Sequence, residues 1–281
     1  MVDLKETNRL LDVLMATVDS PEPVAEGAEL YCGLDVGTAF IVLVVVDAAG
    51  EPVACAYQFA DVVRDGMVVD YMGACDIARS LKEQLEGRLG CELFQTAVAI
   101  PPGTENLDGG VVRNVAESAG FGVGTVFDEP TAANMVMGIE NGAVVDIGGG
   151  TTGISVLCDG RVVQCVDEST GGTHFSLVLA GAKGVGFDEA ESYKRDSANH
   201  AEVLRIVRPT VDKVASIVER SCRGFEVSEV ILVGGTAELT GIEDRMEHQL
   251  GMPVVKPSRP MFVTPLGIAC GCRAKVQGEG R

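Results

Sequence analysis

The stretches Asp35-Val36-Gly37-Thr38 and Asp146-Ile147-Gly148-Gly149-Gly150-Thr151-Thr152 decide how this chain of 281 residues folds. Each follows a short apolar run and precedes a second run rich in β-branched residues, which predicts that each is the turn of a β-hairpin. Glycines let a backbone approach an anion closely, and successive N–H groups of a turn can bind phosphate. An Asp at a strand end can hold magnesium through water, because Mg²⁺ usually keeps several waters. The sequence therefore predicts two phosphate loops that bind one polyphosphate from two sides.

The order of predicted elements around the first stretch recurs around the second. Three strands come first in each half, followed by alternating helices and strands, which indicates two related α/β lobes with a cleft between them. We expect an N-terminal helix at 1–20, a linker at 21–29, lobe I at 30–141 with 264–281 returning to it, and lobe II at 142–263. The predicted strands are 30–35, 40–47, 52–59, 96–100, 124–127, 143–147, 153–158, 161–167, 229–233 and 253–256. The predicted helices are 73–89, 108–119, one beginning near 128, 173–182, 187–194, 201–222, 239–250 and 265–274.

Residues 3–18 have the spacing of an amphipathic helix, with Leu4, Leu11 and Leu14 on one face. A segment containing two prolines separates this helix from the first strand. Two interpretations stay open. The helix packs on its own lobe, or it is a detachable segment that binds a partner through its apolar stripe.

Composition limits the classes of partner. The net charge of −19 predicts a surface that repels nucleic acid and anionic lipid. The sequence lacks an apolar window of membrane-spanning length, which predicts no membrane insertion. Nine cysteines are scattered without a C-x-x-C pair, an arrangement that argues against zinc and fits a reducing cytoplasm.

The glycine motifs of the chain exclude two common kinds of nucleotide site, the dinucleotide-binding motif and the P-loop. Residues 148–153 contain a formal G-x-G-x-x-G, but a dinucleotide site requires a helix directly after it, and here a strand is predicted. The P-loop motif is also missing. A further pair, Gly234 and Gly235, follows a buried strand, where glycine lets the backbone pass close to a ring or a ribose.

Taken in order, these motifs resemble the superfamily of actin, sugar kinases and heat-shock chaperone ATPases. Residues 35–38 and 146–152 resemble its two phosphate loops, and residues 232–236 resemble its adenosine motif. Residues 128–133 and 265–269 look like its two connecting helices. The resemblance implies the fold of that superfamily, with two ribonuclease-H-like lobes, and implies ATP and Mg²⁺ as ligands.

Within the superfamily the chain is similar to the ethanolamine-utilisation protein J family, whose operons encode a bacterial microcompartment. The segments that carry this likeness are residues 60–66, 101–104, 145–154, 180–181 and 187–195. The family is usually described as chaperone-like.

The resemblance implies a role for each motif residue. Asp35 and Asp146 would hold hydrated magnesium or orient water, and Glu129 would align water near the hinge. Thr38 and Thr151 would hydrogen-bond terminal phosphate oxygens. The other implied contacts are made by glycines: Gly37, Gly148, Gly149 and Gly150 by giving phosphate access to the backbone, Gly171 and Gly172 by N–H groups at a helix start, and Gly234 and Gly235 by flanking adenosine. The implied catalytic set is Asp35, Asp146, Glu129 and Thr151.

Three departures from the superfamily pattern reduce the expected chemistry. Ala39 and Phe40 stand where a hydroxyl often follows the first loop. Gly153 stands where the chaperones have an Asp. No lysine is identified near the phosphates, although Arg64 and Lys82 are candidates. We therefore expect at most a slow ATPase.

Two functions remain from these considerations. The first is a cytoplasmic chaperone-like protein that assists or reactivates the ethanolamine-degrading enzymes. The second is a non-hydrolysing actin-like scaffold or adaptor that binds microcompartment shell proteins. The oligomeric state stays open.

Overall fold

The computed structural model describes residues 2–64, 67–101 and 109–278. The chain divides into two compact units. Unit 1 is Ile139–Met261, and unit 2 comprises the described residues of Val2–Gly138 and Phe262–Arg281. Parts of the resembling segments 60–66 and 101–104 lie outside the described residues, as does the first residue of the helix predicted at 108–119.

Unit 2 contains one five-stranded sheet and its helices. The sheet order is β3-β2-β1-β6-β7, in which β1–β2 and β2–β3 are antiparallel and β1–β6 and β6–β7 are parallel. Its elements are α1 (Lys5–Ala16), β1 (Tyr31–Val36), β2 (Phe40–Val46), β3 (Pro52–Phe59), β4 (Val63–Arg64), β5 (Met67–Val68), α2 (Tyr71–Leu89), β6 (Gln95–Ile100), α3 (Gly109–Ser118), β7 (Gly122–Asp128), α4 (Glu129–Met137) and, from the end of the chain, α9 (Val263–Val276).

Unit 1 repeats this arrangement. Its sheet has the order β10-β9-β8-β11-β12, again with two antiparallel and two parallel pairs. Its elements are β8 (Gly142–Ile147), β9 (Thr152–Cys158), β10 (Arg161–Glu168), α5 (Gly172–Lys183), α6 (Phe187–Arg195), α7 (His200–Ser221), β11 (Val230–Val233), α8 (Ile242–Leu250) and β12 (Val254–Val255). The internal repeat predicted from the sequence is confirmed.

Some elements differ from the sequence prediction. The β4–β5 hairpin has strands of two residues each, too short to carry a periodic signal. The helix predicted from residue 239 begins at Ile242, because Gly235–Glu238 first forms a separate 3₁₀ turn. Helix α2 begins two residues earlier than predicted, since the Asp70 carboxylate accepts the N–H of Gly73 and caps it.

In each sheet, side chains that alternate along the strands separate a core face from the opposite face. In unit 1, Val145, Ile147 and Ile154 belong to a cluster packed against α5 and α7, so Asp146 and Gly153 lie on the other face. In unit 2, Leu34 and Val36 face the corresponding cluster, so Asp35 lies on the other face. Asp35 and Asp146 therefore both lie on the face of their sheet that is turned away from the core of their own unit.

Helix α9 packs in unit 2 against β1 and α4 at two glycines. A Cβ at Gly33 would lie 2.4 Å from the Ala269 nitrogen, and a Cβ at Gly267 would lie 1.9 Å from the Ala132 oxygen. Only glycine permits these backbone approaches, because a methyl group at either position would overlap main-chain atoms. The two segments predicted as connecting helices therefore form a close-packed pair.

The N-terminal helix α1 packs on its own unit, which decides between the two interpretations left open by the sequence. Leu11 and Leu14 are fully buried. The Thr7 hydroxyl donates to the Val136 carbonyl at 3.1 Å, and Arg88 donates to the Val18 carbonyl at 2.6 Å. The apolar stripe is thus covered by unit 2 itself. None of the described helices is long and apolar enough to cross a membrane.

Candidate functional site

Both predicted phosphate loops are hairpin turns with the same closing hydrogen bond. The Gly37 N–H donates to the Phe40 carbonyl at 3.0 Å, and the Gly148 N–H donates to the Thr151 carbonyl at 3.0 Å. Asp35 and Asp146 each occupy the next-to-last position of the strand before the turn. The hairpin prediction is confirmed for both stretches, and each carboxylate lies beside its glycine turn.

Two other glycine-containing segments of unit 1 converge on the second loop. The Gly148 carbonyl accepts the Gly172 N–H at 2.9 Å and the Thr236 hydroxyl at 2.8 Å. The Gly149 carbonyl accepts the Thr173 N–H at 2.8 Å. These bonds join the hairpin turn to the start of α5 and to the turn after β11. Segments some 90 residues apart in sequence, as Gly148 and Thr236 are, therefore form one surface.

Gly234 lies directly against the Asp146 carboxylate. Its φ is +88°, and a Cβ there would lie 2.2 Å from Asp146 Oδ1 and 2.7 Å from the Ile147 carbonyl oxygen. Both the conformation and the contact demand glycine. The position predicted to flank adenosine thus also fixes the surroundings of the predicted magnesium ligand.

The start of α5 uses its N–H groups differently from the prediction. The Gly172 N–H is bound to the Gly148 carbonyl, and the Gly171 N–H approaches His174 Nδ1 at 3.5 Å. A Cβ at Gly171 would lie 2.7 to 2.9 Å from main-chain atoms of Gly148, Gly149 and Gly150. These two glycines dock the helix start onto the loop. Gly235, which follows Gly234, begins the 3₁₀ turn Gly235–Glu238.

Lys194 is a residue beside the loop that sequence reasoning did not identify. Its ammonium donates to the Gly172 carbonyl at 2.9 Å, to Ser176 Oγ at 2.8 Å and to Glu191 Oε2 at 2.7 Å. An ammonium has three donors, and these three acceptors use all of them. Lys194 therefore ties α6 to the start of α5, and its sequence position among other charged residues gave no signal of this.

Burial and charge act on this pair in opposite directions. Burial would raise the pKa of Glu191, but the charge of Lys194 and the hydroxyl of Ser176 outweigh it and hold the pKa below its ordinary value. Burial lowers the pKa of Lys194 despite the neighbouring Glu191. The pair is a structural support of the loop surface.

Asp167 on β10 is a second residue that sequence reasoning did not identify. Its carboxylate accepts the hydroxyl of Thr151. Asp167 pairs with Gly153 across β9 and β10, and Gly153 pairs with Asp146 across β8 and β9. Directly opposed residues of neighbouring strands project to one face of a sheet. Asp146 and Asp167 therefore stand on the same face, on either side of a glycine.

In unit 2, Glu129 is the first residue of α4, and the preceding Asp128 caps the helix by accepting the Thr131 N–H at 2.9 Å. Pro130 occupies the first turn, as predicted. The two candidate cations in this unit, Lys82 and Arg64, each form an ion pair with a carboxylate. Lys82 binds Glu86 at 2.7 Å, and Arg64 binds Asp61 at 3.3 Å.

The side chains around the second loop fit a hydrated hard cation. They offer the Asp146 and Asp167 carboxylates and the Thr151 hydroxyl, all oxygen groups of the kind that Mg²⁺ prefers. Among the residues that the structure describes, no three His, Cys, Asp or Glu side chains group around a common metal position. The chemistry fits a cation that keeps most of its waters.

Comparisons with known proteins agree with this architecture. The chain is 41% identical over 264 residues to the ethanolamine utilization protein EutJ of Salmonella typhimurium, covering 94% of this chain and 93% of the relative. It is 46% identical to EutJ from Carboxydothermus hydrogenoformans, whose crystal structure superimposes with a TM-score of 0.90 over 94% of this chain and 98% of that chain.

More distant similarities define the wider fold. The chain is 25% identical to a chaperone protein HscA homolog of Methylibium petroleiphilum over 92% of its own length and 49% of the relative, so it spans about half of that protein. The structure of MreB5 of Spiroplasma citri bound to ADP is 16% identical, with a TM-score of 0.68 over 89% of this chain and 98% of that chain.

Two families also match parts of the sequence. Residues 133–266 match the family described as Type IV pilus assembly protein PilM, and residues 57–179 match MreB/Mbl protein. The predicted family and the predicted actin-like ATPase fold are both confirmed. This chain belongs to the EutJ family of ethanolamine utilization proteins.

Proposed function

We propose that this protein binds ATP with Mg²⁺ and acts as a chaperone-like protein of ethanolamine utilisation, assisting or reactivating the enzymes of the microcompartment. One observation carries the nucleotide assignment. Three glycine segments, at Gly148, Gly172 and Gly234, are joined at the second loop of unit 1, and Gly234 lies against the Asp146 carboxylate. The MreB5 structure, which shares this fold, contains ADP.

The proposed roles follow the chemistry of each group. Asp146 and Asp35 would each hold magnesium-bound water, and bound magnesium would neutralise phosphate charge. Gly148, Gly149 and Gly150 would give phosphate access to the backbone, as Gly37 would in unit 2. The remaining proposed contacts are Thr38 with phosphate, Glu129 with water, and Gly234 and Gly235 with adenosine.

Slow turnover is part of the proposal. Lys194, which reaches Gly172 beside the second loop, has all three donors bound within the protein. Gly153 supplies no carboxylate of its own. Since phosphoryl transfer depends on positioned charges, and loss of one commonly costs ~10²–10³ in rate, we expect nucleotide binding with slow hydrolysis.

The alternative function is a non-hydrolysing scaffold or adaptor for microcompartment shell proteins. Its support is the match of residues 133–266 to the family described as Type IV pilus assembly protein PilM, together with the match of residues 57–179 to MreB/Mbl protein. For either function we propose a cytoplasmic location in association with the microcompartment. All nine cysteines are free thiols, which a reducing compartment maintains.

A reactivation assay separates the two functions. The ethanolamine-degrading enzyme is inactivated and incubated with the purified protein, with MgATP, with MgADP and with ATP in EDTA. The chaperone-like role predicts recovery of activity with MgATP alone, and loss of recovery in the Asp146→Asn variant. Binding of ATP with no recovery, together with co-purification of shell proteins, would favour the scaffold.

A further inference from the structure

The face of the unit 1 sheet that carries Asp146 contains an acidic group with no equivalent in unit 2. Across β8, β9 and β10 the opposed residues are Asp146, Gly153 and Asp167. Across β1, β2 and β3 of unit 2 the corresponding row is Asp35, Val42 and Tyr57. The second carboxylate is thus a feature of unit 1.

Gly153, the central residue of this row, leaves free space between the two carboxylates. A Cβ at Gly153 would have the Asp146 Cβ as its nearest neighbour, at 4.0 Å. Asp167 itself is exposed to solvent. Its neighbour Glu168 points to the opposite face, where it binds Arg220 of α7 at 2.7 Å. The Asp167 carboxylate therefore lies on the face of the sheet that also carries Asp146.

The Thr151 hydroxyl reaches Asp167 from the end of the second loop. Thr151 directly precedes β9, in which Gly153 pairs with Asp167, so this hydroxyl stands close to the residue opposite Gly153. A hydroxyl has one proton to donate and two lone pairs. When the proton is given to Asp167, the oxygen of Thr151 can only accept further hydrogen bonds.

Donation of its proton to Asp167 determines which ligand atoms the Thr151 hydroxyl can bind. Phosphate oxygens accept hydrogen bonds, so they cannot pair with a hydroxyl whose proton is already used. Water molecules donate hydrogen bonds, and Mg²⁺ usually keeps several waters when it is bound with a nucleotide. An oxygen of Thr151 that only accepts suits such a water, whereas the sequence resemblance implies a contact with a terminal phosphate oxygen.

We propose that Asp167 is a positioning residue of the nucleotide site: by taking the Thr151 proton, it makes Thr151 an acceptor for the waters of nucleotide-bound magnesium. This inference rests on the proposed function, since it concerns the same site. Asp167 acts through Thr151, and its loss should weaken the magnesium-dependent part of ATP binding.

The test measures the ATP dissociation constant by calorimetry in Mg²⁺ and in EDTA, and takes the ratio of the two as the magnesium enhancement. In Asp167→Ala and Thr151→Val the enhancement should fall about tenfold, the size expected for loss of one hydrogen bond involving a charged group. ATP binding in EDTA should stay within about twofold of wild type, because that state has no cation whose waters Thr151 could bind. Asp167→Asn is a second variant at this position, which should keep most of the enhancement because its amide oxygen still accepts the Thr151 proton, and melting temperatures confirm folding.

The double variant provides the decisive comparison. If Asp167 acts through Thr151, the Asp167→Ala, Thr151→Val protein should resemble either single variant, because coupled residues are not additive. Glu168→Gln removes the same charge one residue along and should leave the enhancement unchanged. An unchanged enhancement in Asp167→Ala, additive losses in the double variant, or an equal loss in Glu168→Gln would overturn the inference alone. Absence of ATP binding by the wild-type protein would overturn it together with the proposed function.

Discussion

At the scale of single residues, the second loop depends on a glycine that lies far from it in sequence. Gly234 permits the turn after β11 to lie against Asp146, with a φ of +88° that side chains disfavour. The same glycine leaves room for the carboxylate to keep its position. The identity of residue 234 is therefore coupled to the geometry of the predicted magnesium ligand.

Gly234→Ala should remove ATP binding and destabilise unit 1. The new methyl group would overlap Asp146 Oδ1, and overpacking of this kind costs about 1–3 kcal/mol in addition to the backbone strain. The matched control is Gly251→Ala, which has a φ of +68° but no neighbour within 4 Å. Calorimetry with ATP and thermal melts should show loss of binding in the first variant and only a modest fall in melting temperature in the second.

Sequence reasoning identified the residues whose signal is local. Asp35 and Asp146 each stand between an apolar run and a glycine turn, so a short window of sequence is enough to place them at strand ends. Lys194 and Asp167 were missed because their contacts depend on pairings beyond such a window. Lys194 meets Gly172 from 22 residues away, and Asp167 meets Thr151 only through the register of β9 and β10.

At the scale of elements, α1 is an integral part of unit 2. Leu11→Ala removes a fully buried side chain and should lower the free energy of unfolding by about 2–5 kcal/mol. Leu10→Ala on the same helix is the control, because Leu10 is only partly buried and should cost less. Urea titrations measure both values. Equal, small effects would mean that the helix is detached in solution and free for a partner.

The contacts of Glu191 on α6 with Lys194 and with Ser176 of α5 predict that stability depends on pH. Glu191 has a lowered pKa, so its contribution is present above the unfolded value of 4.5 and is lost as pH falls through the folded value. Glu191→Gln should lower the melting temperature by a constant amount from neutral pH to about pH 5, and the difference from wild type should shrink below that.

The control for this pH profile is Glu189→Gln, an exposed carboxylate on the same helix. Its melting temperature should follow that of the wild type at every pH. A Glu191→Gln difference that stays constant down to pH values at which the carboxyl group is protonated would show that the Glu191–Lys194 pair does not carry the effect.

Element prediction succeeded where periodicity was long. The apolar runs of β1, β2, β8 and β9 and the amphipathic pattern of α7 extend over several residues, and their bounds were predicted closely. The β4–β5 hairpin and the 3₁₀ turn Gly235–Glu238 were not predicted, because they contain two to four residues per piece and are held by tertiary contacts. Such short pieces carry no periodic signal of their own.

At the scale of the whole molecule, two units with the same strand order carry different chemistry on equivalent positions. The row Asp35, Val42 and Tyr57 in unit 2 corresponds to Asp146, Gly153 and Asp167 in unit 1. The repeat could be predicted because each half begins with a hairpin bearing an Asp-glycine turn. The difference between the halves could not, since it requires the strand register.

The central claim is that this protein binds ATP together with magnesium. The most direct test is calorimetric titration of the purified full-length protein with ATP in Mg²⁺, with Gly234→Ala as the non-binding control and thermal melts in parallel. The account predicts saturable binding below millimolar ATP, and stabilisation by about 2.7 kcal/mol when the ligand exceeds its dissociation constant a hundredfold. A folded protein that shows neither binding heat nor a shift in melting temperature at millimolar MgATP would contradict it.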